Sequence, residues 1–139
     1  HAMSRRQRQM CIRDSLREGL PRGTEHYPGI DEDPRTTFLC AYENGELIGC
    51  STLQVDRREG CKFRIRGMAV RSEHRNKGVG TKIVKGLQDF ARSQGSGIWC
   101  NARIKAVPMY ERCGFVIISD LFEIEGIGLH HDMQWILSD

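Results

Sequence analysis

The dipeptide Asn44-Gly45 is the feature of this sequence that most limits its fold. It separates two runs rich in β-forming residues, Thr36–Tyr42 and Glu46–Val55. Asn-Gly favours the two-residue turn of a β-hairpin, because both turn positions must adopt positive φ. A third run, Cys61–Val70, alternates apolar and polar side chains and predicts an adjoining strand. The first half of the chain is therefore predicted to contain an antiparallel three-stranded sheet.

The hydrophobic period changes after the third run. From about Val79 to Ser93 the apolar residues recur at helical spacing, and Gly95-Ser96-Gly97 is predicted to end that helix. The remaining predicted elements are a short buried strand (Ile98–Ala102), a short helix (Ala106–Cys113), two strands (Phe115–Ser119 and His131–Leu137) and a glycine-punctuated connection or partial strand (Phe122–Leu129). The long helix is a crossover between strands. The pattern therefore predicts an α+β fold with a mixed, mainly antiparallel central sheet flanked by helices.

The length and composition predict one globular domain over residues 3–139. The chain has 139 residues, of which 39% are hydrophobic and 28% charged. His1-Ala2 is interpreted as an expression remnant, Arg5–Gly19 as a helix and Pro21–Arg35 as a loop. No apolar run approaches the roughly 20 residues of a membrane span, and the N-terminal residues lack the apolar stretch of a signal peptide. We therefore expect a cytoplasmic protein with no membrane contact.

The six cysteines are expected to be free thiols. The sequence has no C-x-x-C pair and no zinc-type spacing, so neither disulfides nor a metal site is predicted. The two-residue turn would pair Glu43 with Glu46, which places Cys40 opposite Gly49 rather than opposite Cys50. The same register places Leu39 opposite Cys50, and the thiols of Cys40 and Cys50 would point to opposite faces of the sheet.

The segment Gly67–Lys82 has the characteristics of a phosphate-binding turn. It leads from the third strand into the long helix through Gly78 and Gly80, which allow close approach of the backbone to a ligand. The first N–H groups of the helix and its dipole would attract an anion, and Arg75 and Lys77 add full charges. The glycine spacing is neither that of a Walker loop nor that of a Rossmann fingerprint.

Basic side chains are concentrated around this turn. The net charge of the whole chain is only +3, but the stretch from 62 to 85 contains one acid, Glu73, against Lys62, Arg64, Arg66, Arg71, Arg75, Lys77, Lys82 and Lys85. The local excess predicts an anionic ligand. The modest net charge and the lack of interleaved aromatic residues argue against a nucleic-acid partner.

Two motifs resemble signatures of the GNAT family of N-acetyltransferases. Arg75-x-x-Gly78-x-Gly80, after a strand ending in Met68-Ala69-Val70, resembles the family's motif A. Asn101-x4-Ala106-x3-Tyr110-x3-Gly114-Phe115 resembles its second signature, and together the two cover roughly residues 62–119. The resemblance implies a GNAT-like fold and acetyl-CoA as cosubstrate. It also implies that the usual first strand is missing, which leaves a sheet edge where a second copy could pair to form a homodimer. His130-His131-Asp132 could suggest a metal site, but three adjacent residues rarely form a closed one, so no metal cofactor is expected.

The resemblance also implies roles for individual residues. The cofactor would be held by Met68, Ala69, Val70, Arg75, Asn76, Lys77, Gly78, Val79, Gly80 and Thr81, and on the neighbouring strand by Asn101 or Arg103. Tyr110 would be the general acid, because an ordinary phenol pKa of about 10 is close enough to the thiol value of about 8.5. The candidates for the general base are Glu73, His74, Glu123, His130 and His131, of which Glu73 and His130 are preferred.

The acceptor and the role of two arginines stay open at this stage. The acceptor would be a primary amine of a small molecule or a peptide. Arg64 and Arg66 occupy strand positions where related enzymes place glutamate or histidine, and guanidinium cannot act as a base. They would either bind an anionic group of the acceptor or lie on a solvated face. The alternative function is a non-catalytic CoA-binding or sensor domain, and a nucleic-acid-binding module is a weaker alternative.

Overall fold

The computed structural model describes Ile30 and residues 33–138, which form a seven-stranded sheet with two helices. The strands are β1 (Thr37–Glu43), β2 (Glu46–Arg58), β3 (Cys61–Val70), β4 (Gly97–Arg103), β5 (Val116–Ile117), β6 (Phe122–Ile124) and β7 (Gly128–Trp135), and the helices are α1 (Val79–Ser93) and α2 (Val107–Arg112). The sheet order is β1-β2-β3-β4-β7-β5, with β6 also paired to β7. Among the described strands, β3 and β4 are parallel and the other pairs antiparallel, which confirms the mixed α+β fold.

Some predictions fall on residues outside the described part. These are the helix Arg5–Gly19, most of the loop Pro21–Arg35 and the missing first strand, together with the sheet edge that its absence would leave for a second copy. The single-domain assignment for residues 3–139 and the interpretation of His1-Ala2 also stay predictions. No helix in the described part is long and apolar enough to cross a membrane.

The predicted hairpin is present, but its register differs from the prediction. Both turn residues have positive φ, 51° at Asn44 and 81° at Gly45. A bulge at Ile48 of β2, opposite Ala41 and Tyr42, shifts the pairing, so that Cys40 lies opposite Cys50. Placing Cys40 opposite Gly49 was therefore wrong, because the extra residue of the bulge moves the register by one position.

The described cysteines are free thiols, and Cys40 and Cys50 are both buried. Because they are directly opposite each other, their side chains share one face of the sheet, contrary to the predicted opposite faces. Ala69 completes this small buried cluster.

A second bulge, at Gly67, changes which side chains of β3 face the helices. Ile65 belongs to the main core, and Met68, three residues later, packs against the same core. The strict alternation predicted for this strand would put Met68 with the arginines. Gly67 has a φ of 69°, which is strained for residues with a side chain, and the β2–β3 register shifts at this point. The bulge therefore brings Met68 to the helix side and turns Ala69 to the other side.

Helix α1 begins and ends where the sequence predicts. Its apolar stripe, led by Ile83, Val84 and Leu87, is buried against the sheet. Helix α2 is two residues shorter than predicted, and Gly114 follows its C-terminus with a φ of 91°. β5 is shorter than the predicted Phe115–Ser119, and β7 begins three residues before the predicted His131. This earlier start places His130 inside the sheet.

Candidate active site

Strands β3 and β4 separate halfway along their length, and this divergence creates the site. Their pairing begins at Cys61 and ends where Ile65 meets Cys100. β4 stays paired with β7 as far as Arg103 and His130. Beyond Ile65, the edge of β3 that faces β4 has no partner strand among the described residues. Its backbone groups are therefore available to an extended ligand.

A groove of about 910 Å³ runs from this free edge of β3 to the N-terminus of α1. Its described lining residues are Met68, Ala69, Val70, His74, Arg75, Asn76, Gly78, Val79, Gly80, Thr81, Arg103, Lys105, Ala106, Pro108, Met109, Tyr110 and Arg112. No Asp or Glu is among them, whereas four carry a permanent positive charge. The groove is therefore suited to a large anionic ligand.

The N-terminal turn of α1 forms the cationic end of this groove. Gly78, with a φ of 82°, is the N-cap, and no side chain caps the helix. The first bond within the helix joins Lys82 N–H to the Gly78 carbonyl, so the N–H groups of the preceding turn have no partner within the helix. The side chain of Arg75 is anchored because its Nε donates to the carbonyl of Val70 at 3.0 Å. Such a turn is a ready anion-binding site.

A second cavity, of about 320 Å³, lies in the gap between the diverging strands. Met68, Arg103, Ala106 and Tyr110 line both this cavity and the groove, so the two spaces meet at these residues. The rest of its described lining is Arg64, Ile65, Arg66, Gly67, Asn101, Ala102, Ile124, Ile127 and His130. A ligand in the groove and a second molecule in this cavity would therefore come into contact beside Tyr110.

Tyr110 is buried at this junction, with 6% of its surface exposed. Its ring centroid lies 5.2 Å from that of Phe115, which fixes the ring in the core. Burial raises the pKa of Tyr110 well above that of a free phenol, and the neighbouring thiol of Cys100 acts in the same direction. The prediction of an ordinary phenol pKa was therefore wrong. The hydroxyl keeps its proton to higher pH than predicted.

His130 is also buried, and its orientation defines its protonated nitrogen. Nδ1 lies 2.7 Å from the carbonyl oxygen of Gly128, and the ring stacks on Phe122 with centroids 5.9 Å apart. A carbonyl oxygen only accepts, so in the neutral ring Nδ1 carries the proton. The lone pair is then on Nε2. In that tautomer Nε2, on a residue that lines the second cavity, is the nitrogen that can accept a proton.

Arg64 is part of a polar network on the sheet face opposite the core. Its guanidinium donates to Asp56 at 3.1 Å and to Asn101, and it stacks on Trp99 at 4.5 Å from the ring centroid. Asn101 in turn donates to Asp132, which Arg58 pairs at 2.7 Å. Arg64 therefore does not belong to a simple solvated face.

Most of the residues predicted to bind cofactor come together in the groove; Lys77 and Asn101 do not, and neither does the predicted base Glu73. Lys77 and Glu73 line neither cavity, and Asn101 lines only the second one, where the network holds its side chain. The carboxyl pKa of Glu73 is lowered by its own backbone N–H, which makes it a weaker proton acceptor. Between Asn101 and Arg103, the structure places Arg103 in the groove.

The other candidate bases are distributed around the site. His74 lines the groove, where its Nδ1 lies 3.0 Å from Glu43. His131 contacts the Ser119 carbonyl, and neither it nor Glu123 lines either cavity. His130 is thus the predicted base candidate that faces the second cavity. Among the described residues, no group of His, Cys, Asp or Glu is arranged to hold a metal ion.

The sequence prediction missed several residues of the site. Lys105, Arg112 and Met109 line the groove from α2 and the turn before it, and Ile124 and Ile127 line the second cavity. The two basic residues lie within the second signature, at its unspecified positions, so the local charge could have identified them. The two isoleucines carry no comparable signal, because they reach the cavity only through the pairing of β6 with β7.

The sequence and the fold are similar to those of known acetyltransferases. The model of the acetyltransferase (GNAT) family matches residues 6–115. The chain is 33% identical over 97 residues to the uncharacterized N-acetyltransferase YitI of Bacillus subtilis, a match covering 66% of this chain and 65% of that protein. It is 30% identical over 102 residues to the streptothricin acetyltransferase of Streptomyces lavendulae, covering 70% and 53%. The chain thus spans about half to two thirds of these relatives.

Two solved structures share the fold. Escherichia coli ElaA superposes with a TM-score of 0.75 at 16% identity, covering 94% of this chain and 86% of that one. An aminoglycoside 6'-N-acetyltransferase complexed with coenzyme A superposes with a TM-score of 0.72 at 15% identity, covering 94% and 89%. At such low identity the likeness concerns the fold alone. With the family match over most of its length, the chain belongs to the GNAT family of acetyltransferases.

Proposed function

We propose that this protein is an acetyl-CoA-dependent N-acetyltransferase that acetylates a primary amine by direct attack. The observation that carries the proposal is the meeting of the two cavities beside Tyr110. The long, cationic groove suits the cosubstrate, and the smaller cavity suits the acceptor. Its volume lies at the lower end of the roughly 300–1,000 Å³ of ligand pockets, which favours a small molecule over a peptide.

The cofactor would be bound by backbone and charge together. The N–H groups of Val79, Gly80 and Thr81 would hold the pyrophosphate, with Arg75 and Arg112 adding charge. The pantetheine arm would pair with the free edge of β3 as an added strand. Acetyl-CoA supplies the activated acetyl group as a thioester, and a backbone N–H of the same strand would polarise its carbonyl.

Tyr110 would act as the general acid that protonates the departing thiolate. Tyr110 lines both cavities, and its raised pKa keeps the hydroxyl protonated throughout the physiological range. A general acid must carry its proton when the leaving group departs.

His130 would act as the general base. A free alkylamine, with a pKa of about 10.4, is only about 0.04% neutral at pH 7, which corresponds to an offset of roughly 4.6 kcal/mol. The lone pair on Nε2 could take the proton of the incoming ammonium, directly or through one water. The bond from Nδ1 to the Gly128 carbonyl would hold the ring in the required tautomer.

A thiol-release screen tests the proposal. The full chain is incubated with acetyl-CoA and a panel of amino acids, polyamines, aminosugars, aminoglycosides and peptides, and free CoA is followed with a thiol reagent. Amine-dependent CoA release, with an acetylated product found by mass spectrometry, supports the proposal. Binding of acetyl-CoA without turnover on any amine would contradict it and would favour the non-catalytic sensor.

A further inference from the structure

The second cavity has a cationic wall. Arg64, Arg66 and Arg103 are among its described lining residues, which include no Asp or Glu. The nearest acids of the polar network, Asp56 and Asp132, are engaged by basic or amide side chains and do not line the cavity. The described wall therefore offers several positive charges and no carboxylate to an acceptor.

The positive charges of the second cavity are grouped around the base candidate, His130. Arg103 is the direct cross-strand neighbour of His130 on β4. Arg66 lies on β3, on the opposite side of the gap where the two strands diverge. Arg64 is fixed by Asp56 and the Trp99 ring, so it forms a rigid part of the wall. A small acceptor that reaches His130 would thus lie among guanidinium groups.

Buried polar atoms without partners in the described part of the chain lie on Arg64 and on the β2 residues that pair with Arg64 and Arg66. Arg64 Nε, Thr52 Oγ1 and Gln54 Oε1 are buried and have no hydrogen-bond partner among the described residues. Thr52 lies opposite Arg66, and Gln54 lies opposite Arg64, in the β2–β3 register. Thr52 and Gln54 do not line the cavity, so of these three residues Arg64 alone belongs to its wall.

We infer that the acceptor is a small primary amine that also carries an anionic group, a carboxylate or a phosphate. The inference rests on the proposed function, because it assigns a substrate class to the same site. Guanidinium groups bind carboxylate and phosphate oxygens in pairs, which would orient the molecule with its amine toward His130. A polycationic acceptor would meet like charges and gain no carboxylate partner from the described wall.

Acceptors of equal length test this inference. γ-Aminobutyrate, n-butylamine and putrescine share an aminopropyl unit and end in a negative, a neutral and a positive group. We expect kcat/KM for γ-aminobutyrate to exceed that for n-butylamine by about tenfold or more, with putrescine last. Aminopropyl phosphate distinguishes the two anions, because the better of the two anionic substrates identifies the preferred group.

The second part of the test is a charge-reversal variant at Arg66. Arg66→Glu should lose the preference for γ-aminobutyrate and raise the relative rate with putrescine, whereas Lys62→Glu should keep the order of the wild type. Lys62 is a matched control, because it undergoes the same charge change on the same strand but lines a different cavity. Binding of acetyl-CoA verifies that each variant is folded, and Arg66→Gln replaces Arg66→Glu if the latter does not fold.

The outcomes separate the two proposals. Acetyl transfer with equal or better rates on n-butylamine or putrescine would overturn the anionic acceptor and leave the acetyltransferase function standing. An unchanged preference in the Arg66 variants would also overturn it. Absence of transfer to these amines and to the whole screening panel would overturn the proposed function, and the acceptor inference with it.

Discussion

Replacing Gly80 with alanine should separate cofactor binding from folding stability. Gly80 is in the first turn of α1, and a Cβ at this position would lie 3.5 Å from Met68 Sδ and 4.0 Å from Met109 Cε. These are ordinary contact distances, so the folded chain accommodates the methyl group. Alanine is the better helix former, and we expect the free energy of unfolding to stay the same or rise by up to about 1 kcal/mol.

The same methyl group should weaken CoA binding. Gly80, Met68 and Met109 all line the groove, so the methyl group would occupy space at the proposed pyrophosphate position. Loss of one charge-assisted hydrogen bond from a phosphate oxygen costs about 1.5–3 kcal/mol, which corresponds to a rise in Kd of roughly 10- to 150-fold. Calorimetric titration with CoA measures the affinity, and urea unfolding measures the stability.

Gly78→Ala is the matched control for this substitution. Gly78 has a φ of 82°, and a Cβ there would have nothing within 4 Å. We expect this variant to lose about 1–2 kcal/mol of stability through backbone strain, whereas its methyl group contacts neither Met68 nor Met109. If Gly80→Ala binds CoA within about twofold of the wild type, the pyrophosphate does not lie on this turn. If Gly80→Ala also loses stability, a disturbed helix rather than a methyl group in the groove explains the weaker CoA binding.

Three further predictions concern the junction of the cavities. Tyr110→Phe should lower kcat by about 100-fold or more while the KM for acetyl-CoA stays within about threefold, and steady-state kinetics showing an unchanged kcat would rule out the general acid. His130→Gln should lower kcat/KM for the acceptor by about 100-fold at neutral pH and progressively less as the pH is raised and the amine deprotonates by itself, so a defect that is constant with pH would count against the base. Burial raises the pKa of the Cys100 thiol from 9.0 to about 12, so the thiol of the unfolded chain ionises first as the pH rises. The free energy of unfolding should therefore fall between pH 9 and pH 12, by up to about 1.4 kcal/mol per pH unit. Urea unfolding of Cys100→Ala should show a weaker dependence of stability on pH over the same range.

The regular elements could be predicted because their signals are local. The turn at Asn44-Gly45 and the helical stripe of α1 depend on neighbouring residues, and the structure has both where the sequence places them. The bulges at Ile48 and at Gly67 could not be predicted. A bulge adds one residue that periodicity does not reveal, and glycine has no side chain to indicate a face. The register of Cys40 with Cys50 and the inward position of Met68 depend on these bulges.

The candidate site, too, could be predicted only where its residues belong to one local segment. Gly78, Gly80 and Arg75 lie in the groove because a strand–turn–helix segment is one local unit. The separation of Asn101 from Arg103 depends on where β3 leaves β4, which is a property of the whole sheet. Similarly, the choice of His130 over Glu73 required the pairing of β7 with β4. Residues brought together by distant strands are therefore the ones that the sequence left open.

The pKa of the buried Cys100 thiol indicates how basic a thiolate would be when it leaves beside Tyr110. A phenol with a raised pKa is a weaker acid, which by itself argues against Tyr110 as the general acid. But Cys100, in hydrogen-bonding contact with Tyr110, has a pKa of about 12, mainly through burial. A CoA thiolate released at the buried junction would experience a similar lack of solvation and would be correspondingly more basic. Burial therefore raises the proton affinity of donor and acceptor together, so the raised pKa of Tyr110 is compatible with donation to a thiolate that is shielded from water in the same way.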